Sequence, residues 1–298
     1  MPATLPAAAQ RHNPRSKPSA ALASPRAYAH AERMSLYIDT HTHLDFPDFD
    51  ADREAVLADC ARLGVSRILL MGVDSGNWEH IWRLVESDER YYAAFGLHPV
   101  FLDRHQPQDI QLLRDRLEQH AGDPRCCAVG EFGLDYFIDD PDREHQQSLF
   151  EAQLEIAVDM ALPALLHVRR AHAPVIAALK RYQLPRGGII HAFSGSLEEA
   201  REYIRLGFKL GLGGAATWPQ AKRMHRVIPQ LPADSLVLET DSPDMAPAFR
   251  PYQRNSPQNL PQICAELAAL RGETAEQLAR QCLHNTCELF NWPAATVS

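Results

Sequence analysis

From Leu36 onward the chain repeats one alternation: a short, almost wholly apolar run, then a longer stretch of helical periodicity. The runs Leu36–Thr40, Arg67–Val73, Tyr92–Leu97, Cys127–Glu131, Pro163–Val168, Gly188–Phe193, Phe208–Gly213 and Leu236–Thr240 predict strands. Most are too uniformly apolar for a sheet with one wet face, as expected of parallel strands covered on both sides. Helices are expected over Ala51–Leu63, Trp78–Asp88, Gln108–Gln119, Arg143–Met160, Ala173–Tyr182, Leu197–Leu206, Pro219–Ile228 and Pro257–Leu270. Ser196 before Leu197 and Ser256 before Pro257 stand at N-cap positions. Gly64 and Gly207 stand where helices end in left-handed backbone. Roughly eight βα units is the number that closes a TIM-type (β/α)8 barrel. An extra C-terminal helix near Ala275–Phe290 would pack on the outside. An open doubly wound α/β sheet shares the alternation, so the placement of polar residues must decide.

The 298 residues suit one large domain, near the upper limit for a single core. The expected organisation is a disordered N-terminal extension over 1–34, one barrel domain over 35–293 and a tail over 294–298. The first 33 residues are rich in Ala and Pro, carry Arg11, Arg15, Lys17, Arg26 and Arg33, and hold one acid, Glu32. Nothing in them is periodic enough to offset the entropy of ordering, so the expectation is either a flexible extension or an upstream start ahead of a natural one at Met34. A net charge of −8 argues against coating nucleic acid non-specifically. It leaves room for an enzyme that grips a nucleic-acid end and draws positive charge from bound metal. The six cysteines form no CxxC pair and read as free thiols of a reducing, cytoplasmic protein. No apolar run approaches the ~20 residues of a membrane span. A monomer is the expectation.

Six residues with metal-ligand chemistry fall at the same end of their strands. Strand one runs into His41-Thr42-His43, and residues two apart on a strand face one side. Strand four ends in Glu131, strand five in His167, strand six reaches His191, and strand eight leads into Asp241. Each has a bland alternative: a core histidine, a salt-bridged glutamate, a turn aspartate. Together they do not, because burying so many ionisable groups in one place without a cation is very costly. The C-terminal rim of a barrel is where such residues converge, which favours the closed barrel. His41, His43 and Asp241 suit one metal, His167 and His191 a second, with Glu131 bridging them. Two divalent ions are expected. Nitrogen-rich ligation favours Zn or Mn, and Mg fits a carboxylate-and-water set. Asp39 and Glu239, each two residues before a ligand, are expected to support it from behind.

Several segments carry a family resemblance. Ile38-Asp39-Thr40-His41-Thr42-His43-Leu44-Asp45, Gly96-Leu97-His98-Pro99, Gly130-Glu131-Phe132-Gly133-Leu134-Asp135-Tyr136, His167-Val168-Arg169, His191-Ala192-Phe193-Ser194-Gly195 and Glu239-Thr240-Asp241-Ser242-Pro243 resemble, in order, the TatD family of metal-dependent deoxyribonucleases within the amidohydrolase superfamily. The likeness runs from about Leu36 to Trp292. It implies metal ligation by His41, His43, Glu131, His167, His191 and Asp241, and a divalent-cation-dependent nuclease acting on DNA ends. Ala192 departs from the family, where Cys is frequent; so do the Asp244–Phe249 loop and Ser256, where Glu is common.

In the mechanism this suggests, Asp241 is general base and Glu131 fixes the metal spacing. Arg169 is either a phosphate contact or a solvated loop cation. His98 is either a substrate contact or a structural residue before Pro99. Lys222, Arg223, His225 and Arg226 read as a nucleic-acid contact or, more plainly, a solvated helix face. The rival readings are a hydrolase of another ester or amide bond, such as an aminoacyl-tRNA deacylase, and a metal-binding protein without turnover.

Overall fold

Eight strands form the sheet: β1 Tyr37–Thr42, β2 Val65–Met71, β3 Tyr91–Phe95, β4 Cys126–Asp135, β5 Ala164–Arg169, β6 Gly188–Ile190, β7 Phe208–Leu212 and β8 Leu236–Leu238. A computed structural model describes residues 36–139 and 142–293; the extension expected over 1–34 and the tail over 294–298 lie outside them. The strands pair in parallel in chain order, β1 through β8. Helices α1 Arg53–Arg62, α2 Trp78–Ser87, α3 Asp109–Gln119, α4 Arg143–Asp159, α5 His172–Tyr182, α6 Leu197–Arg205, α7 Lys222–Val227 and α8 Leu260–Arg271 follow the strands in turn. This is the TIM-type (β/α)8 barrel, and α9 Ala275–Phe290 is the additional helix.

The ring closes just past the end of β8. The Asp241 amide donates to the His41 carbonyl at 2.8 Å, and the His43 amide to the Ser242 carbonyl at 2.7 Å. Beneath them the buried Asp39 carboxylate accepts from the Thr240 amide at 2.9 Å and its hydroxyl at 2.6 Å. Burial pushes the Asp39 carboxyl up to about 7 against the pull of the Thr240 bonds. Asp39 therefore joins the first strand to the last and does not brace the His41 ring, to which it offers only a 3.3 Å bond at the backbone amide. The register between β1 and β2 shifts between Asp39 and Thr42, and that irregularity breaks the two-residue alternation on which the expectation rested.

Alternate strand residues divide the core. In β2, Ile68 and Leu70 meet the helices, with Phe95, Phe132 and Phe150 among their neighbours in that layer. Leu69 and Met71 join Ala94, Ala128, Leu165, Ile189 and Val237 in a second cluster on the other face, the barrel interior. Cys287, Leu289, Phe290 and Trp292 belong to this inner cluster. The Asn285 amide donates to the Leu236 carbonyl at 2.8 Å and Arg186 to the Leu289 carbonyl at 2.7 Å, both at strand starts. So α9 and its end plug the N-terminal mouth of the barrel, where the sequence predicted only an outside addition.

Boundaries differ where local geometry decides. Strand β4 runs four residues beyond Glu131, while β6 and β8 stop short of the expected ends. Gly64 and Gly207 take the left-handed φ expected of them, 81° and 84°. Ser196 builds a full capping box with Glu199. Ser256 caps nothing: its hydroxyl is buried without a partner, and its amide donates to Asn255 Oδ1 at 2.9 Å. No helix among the described residues is long and apolar enough to cross a membrane.

Candidate metal centre

The six expected residues meet at the C-terminal mouth. His41 and His43 arrive on β1, Glu131 in the middle of β4 and His167 on β5; His191 directly follows β6 and Asp241 lies on the closing seam. Glu131 is buried at the centre. Its Oε2 lies 3.0 Å from His41 Nε2 and 3.5 Å from His43 Nε2, and both imidazoles lie 3.7 Å from Asp241 Oδ1. Its Oε1 lies 3.0 Å from His167 Nδ1 and 3.2 Å from His98 Nε2. Each oxygen thus faces a separate group of nitrogens. His191 stacks on His41 with ring centroids 3.6 Å apart, and its Nε2 lies 3.6 Å from Asp241 Oδ2. His167 and His191, expected together, have centroids 6.3 Å apart.

The far nitrogens say which near ones carry lone pairs. His167 stands between two carboxylates that can only accept, with Nε2 2.8 Å from Asp135 Oδ2 and Nδ1 3.0 Å from Glu131 Oε1; with the Nε2 proton directed at Asp135, Nδ1 is the nitrogen that would turn a lone pair to a bound cation. His191 Nε2 faces Asp241 Oδ2 at 3.6 Å, and its Nδ1 lies 3.0 Å from Glu239 Oε1, at ion-pair distance without making a hydrogen bond. Gly211 makes room for that carboxylate: a Cβ there would stand 2.1 Å from Glu239 Oε2. His98 is built the other way. Its Nδ1 accepts from the Val100 amide at 3.2 Å, so its proton is on Nε2 and points at Glu131. It offers a donor where the others offer an acceptor.

Charge follows from these partners. Burial alone would push Glu131 up, yet His41, His98 and His167 hold it well below the usual range. Asp241 is likewise held down against burial, chiefly by His191. Burial pulls His191 down, and Glu239 and Asp241 more than reverse it, leaving it well above an ordinary histidine. Against the same penalty, Asp135 and Glu131 raise His167 to about 8. His98 is lowered to about 4, first by burial.

The donor set fits divalent cations. Ligand atoms about 2.1 Å from one ion stand roughly 3–3.5 Å apart in a tetrahedral shell. The oxygens and nitrogens of His41, His43, Glu131 and Asp241 are already spaced at 3.0–3.7 Å. Two groups, His41–His43–Asp241 and His98–Glu131–His167, each converge within 4.8 Å, and so does a third, His41–His191–Glu239. A cavity of about 470 Å³ opens over them, lined also by Phe46, Phe101, Arg169, Asp244 and Met245. The Lys222, Arg223 and Arg226 side chains lie on the exposed face of α7 and do not line it.

Two functional neighbours are not evident from the sequence. Asp135 holds His167, and its only signal is an even spacing of four from Glu131 in a run that proves to be one strand. His98 stands in the sequence between two roles; the structure decides through a turn whose Val100 amide points back at the ring.

Across residues 38–291 the chain matches the family described as TatD related DNase. It is 43% identical over 257 residues to the uncharacterized metal-dependent hydrolase YjjV of Escherichia coli (strain K12), covering 86% of this chain and 98% of that protein. To the 3'-5' ssDNA/RNA exonuclease TatD of Pantoea vagans it is 33% identical over 263 residues, covering 85% and 98%. The crystal structure of the E. coli YjjV superposes with a TM-score of 0.83 at 42% identity, over 87% of this chain and 99% of that one. The phosphotriesterase homology protein of E. coli shares the fold alone, at 14% identity and a TM-score of 0.62, covering 85% and 98%.

Proposed function

As this chain belongs to the TatD related DNase family of metal-dependent hydrolases, we propose that it cleaves phosphodiester bonds at nucleic-acid ends, on two divalent ions held at the C-terminal mouth. The observation that carries this is the division of Glu131, with one carboxylate oxygen toward His41 and His43 and the other toward His167. A carboxylate so placed would offer one oxygen to each of two ions. His41, His43, Asp241 and Glu131 Oε2 would hold one ion; Glu131 Oε1, His167 Nδ1 and His191 Nε2 would hold the other. His98 is left out of the ligand set because its inward nitrogen carries a proton. The nitrogen-rich set favours Zn or Mn over Ca, and Mg is compatible with the carboxylates.

Such a pair, when bound, lowers the pKa of water and offsets charge on the phosphoryl oxygens. The chain's own residues do the rest. Asp241, ionised and more open than the buried Glu131, accepts the proton of the attacking water as general base. Water oxygen bonds to phosphorus, the bond to the leaving oxygen breaks, and solvent protonates the alkoxide. Glu131 keeps the spacing, and the His98 N–H steadies its Oε1. Asp135 fixes the tautomer of His167, and Glu239 sets its charge 3.0 Å from the outer nitrogen of His191.

The test is incubation of end-labelled single-stranded DNA and RNA with protein of measured metal content, beside a chelator control and a panel of carboxylic esters and amides. Shortening of labelled strands only with metal present is the expected result. Cleavage of esters with intact strands would replace the nuclease by another hydrolase; metal bound with no turnover would leave a binding protein.

A further inference from the structure

Resting on that reading, we infer that Phe137, Arg169 and Arg170 form a phosphate clamp at the rim. It would seat the backbone phosphate next to the scissile one, so that the substrate is a strand and not an isolated diester. Phe137 is 45% exposed, among the few large apolar side chains left to solvent. Both guanidiniums lie against its ring, Arg169 at 3.8 Å and Arg170 at 4.4 Å from the centroid. Consecutive strand residues ordinarily point to opposite sides. Here Arg170 takes a left-handed φ of 55°, rare for a side chain of that size, and the turn brings both cations onto one ring.

Among the described residues neither guanidinium forms a hydrogen bond or ion pair. Two like charges gathered on one exposed ring, with no hydrogen-bond acceptor among the described residues, make a good arrangement for an anion. Each guanidinium, held close to the ring, can offer its N–H groups to phosphate oxygens in pairs. In a chain of net charge −8, a local cation pair is what admits a polyanion.

Position ties the clamp to the centre. Phe137 lies two residues beyond Asp135, and its amide donates to that carboxylate at 2.8 Å. Arg169 lies two residues beyond His167 on β5 and lines the cavity. His167 and the carboxylate that orients it thus each lead directly into the clamp. Two residues of strand advance about 6.6 Å, a reach suited to the neighbouring phosphate and too far for the scissile one.

The experiment uses the full chain and the variants Phe137→Ala, Arg169→Ala/Arg170→Ala and Arg169→Lys/Arg170→Lys, each checked for an unchanged melting temperature. Turnover of bis(p-nitrophenyl) phosphate, which has one phosphodiester and no second phosphate, is set against turnover of a single-stranded oligonucleotide. Anisotropy of a labelled oligonucleotide in EDTA, titrated with salt, gives binding without chemistry. The clamp predicts that the alanine pair lowers kcat/KM on the oligonucleotide at least tenfold more than on the small diester. The log–log salt slope of binding should shrink by about 0.7, the share of the one phosphate no longer neutralised on a single strand. The lysine pair should restore the slope but not the full turnover. Equal losses on both substrates, or an unchanged slope, would overturn the clamp. Wild-type protein that carries metal and cleaves neither substrate would remove the nuclease reading instead, and the EDTA titration would still decide the clamp.

Discussion

The two mouths of the barrel bury side chains of opposite kinds. At the N-terminal mouth Phe290 and Trp292 stack with centroids 4.5 Å apart, Trp292 meets Tyr92 at 4.2 Å, and a whole helix is committed to the closure. At the C-terminal mouth the centre gathers histidines and carboxylates under an open cavity. Apolar burial there would have been stabilising by about 25 cal/mol per Å², and the fold forgoes it. The difference teaches a division of labour: one end holds the strands together so that the other can keep groups that repel, titrate and bind. The predictions that follow aim to separate the two ends.

Asp241→Asn should show the largest effect, a fall in hydrolysis of about 10³–10⁴-fold with a melting temperature within a few degrees of wild type. Parallel loss of fold would break the division. The mirror change, Phe290→Ala, should lower stability by about 3–5 kcal/mol and leave metal stoichiometry intact, as denaturant titration and metal analysis would show. Removing divalent ions with chelator should cost about 2.7 kcal/mol per ion when the ions had stood at a hundred times their Kd. The same increment should appear in Phe290→Ala, since distant sites add; an increment that vanished would mean the two ends are coupled. Asp135→Asn should weaken binding of one ion by about 10–100-fold, read by competition with a chromogenic chelator. Smallest of all, Arg67→Ala removes a guanidinium lying 5.1 Å over Trp292 and should cost about 0.5–1 kcal/mol with unchanged turnover.

The barrel is legible because parallel strands buried on both faces are nearly pure apolar runs, and a rare His, Glu or Asp closing such a run stands out. What the pattern does not convey is geometry within a strand. The charge of Glu131 marks an end to β4 in the sequence; the strand in fact continues through Gly133, whose φ of 153° and closeness to the His167 carbonyl leave no space for a Cβ. Asp135 is hidden in that second half. Asp39 is displaced from its expected role by a register shift that no spacing rule contains. The amphipathic pattern of α9 announces a buried face without saying which surface it will bury, so the plug reads as an ornament. His98 shows the same limit at atomic scale, since one backbone amide decides where its proton sits.

The seam that closes the ring joins residues 201 positions apart, Asp39 to Thr240, and the same ladder sets His41 beside Asp241. On the two-ion reading, a chain still being translated would own His41 and His43 long before Asp241, and a product terminated ahead of that carboxylate would lack the proposed general base.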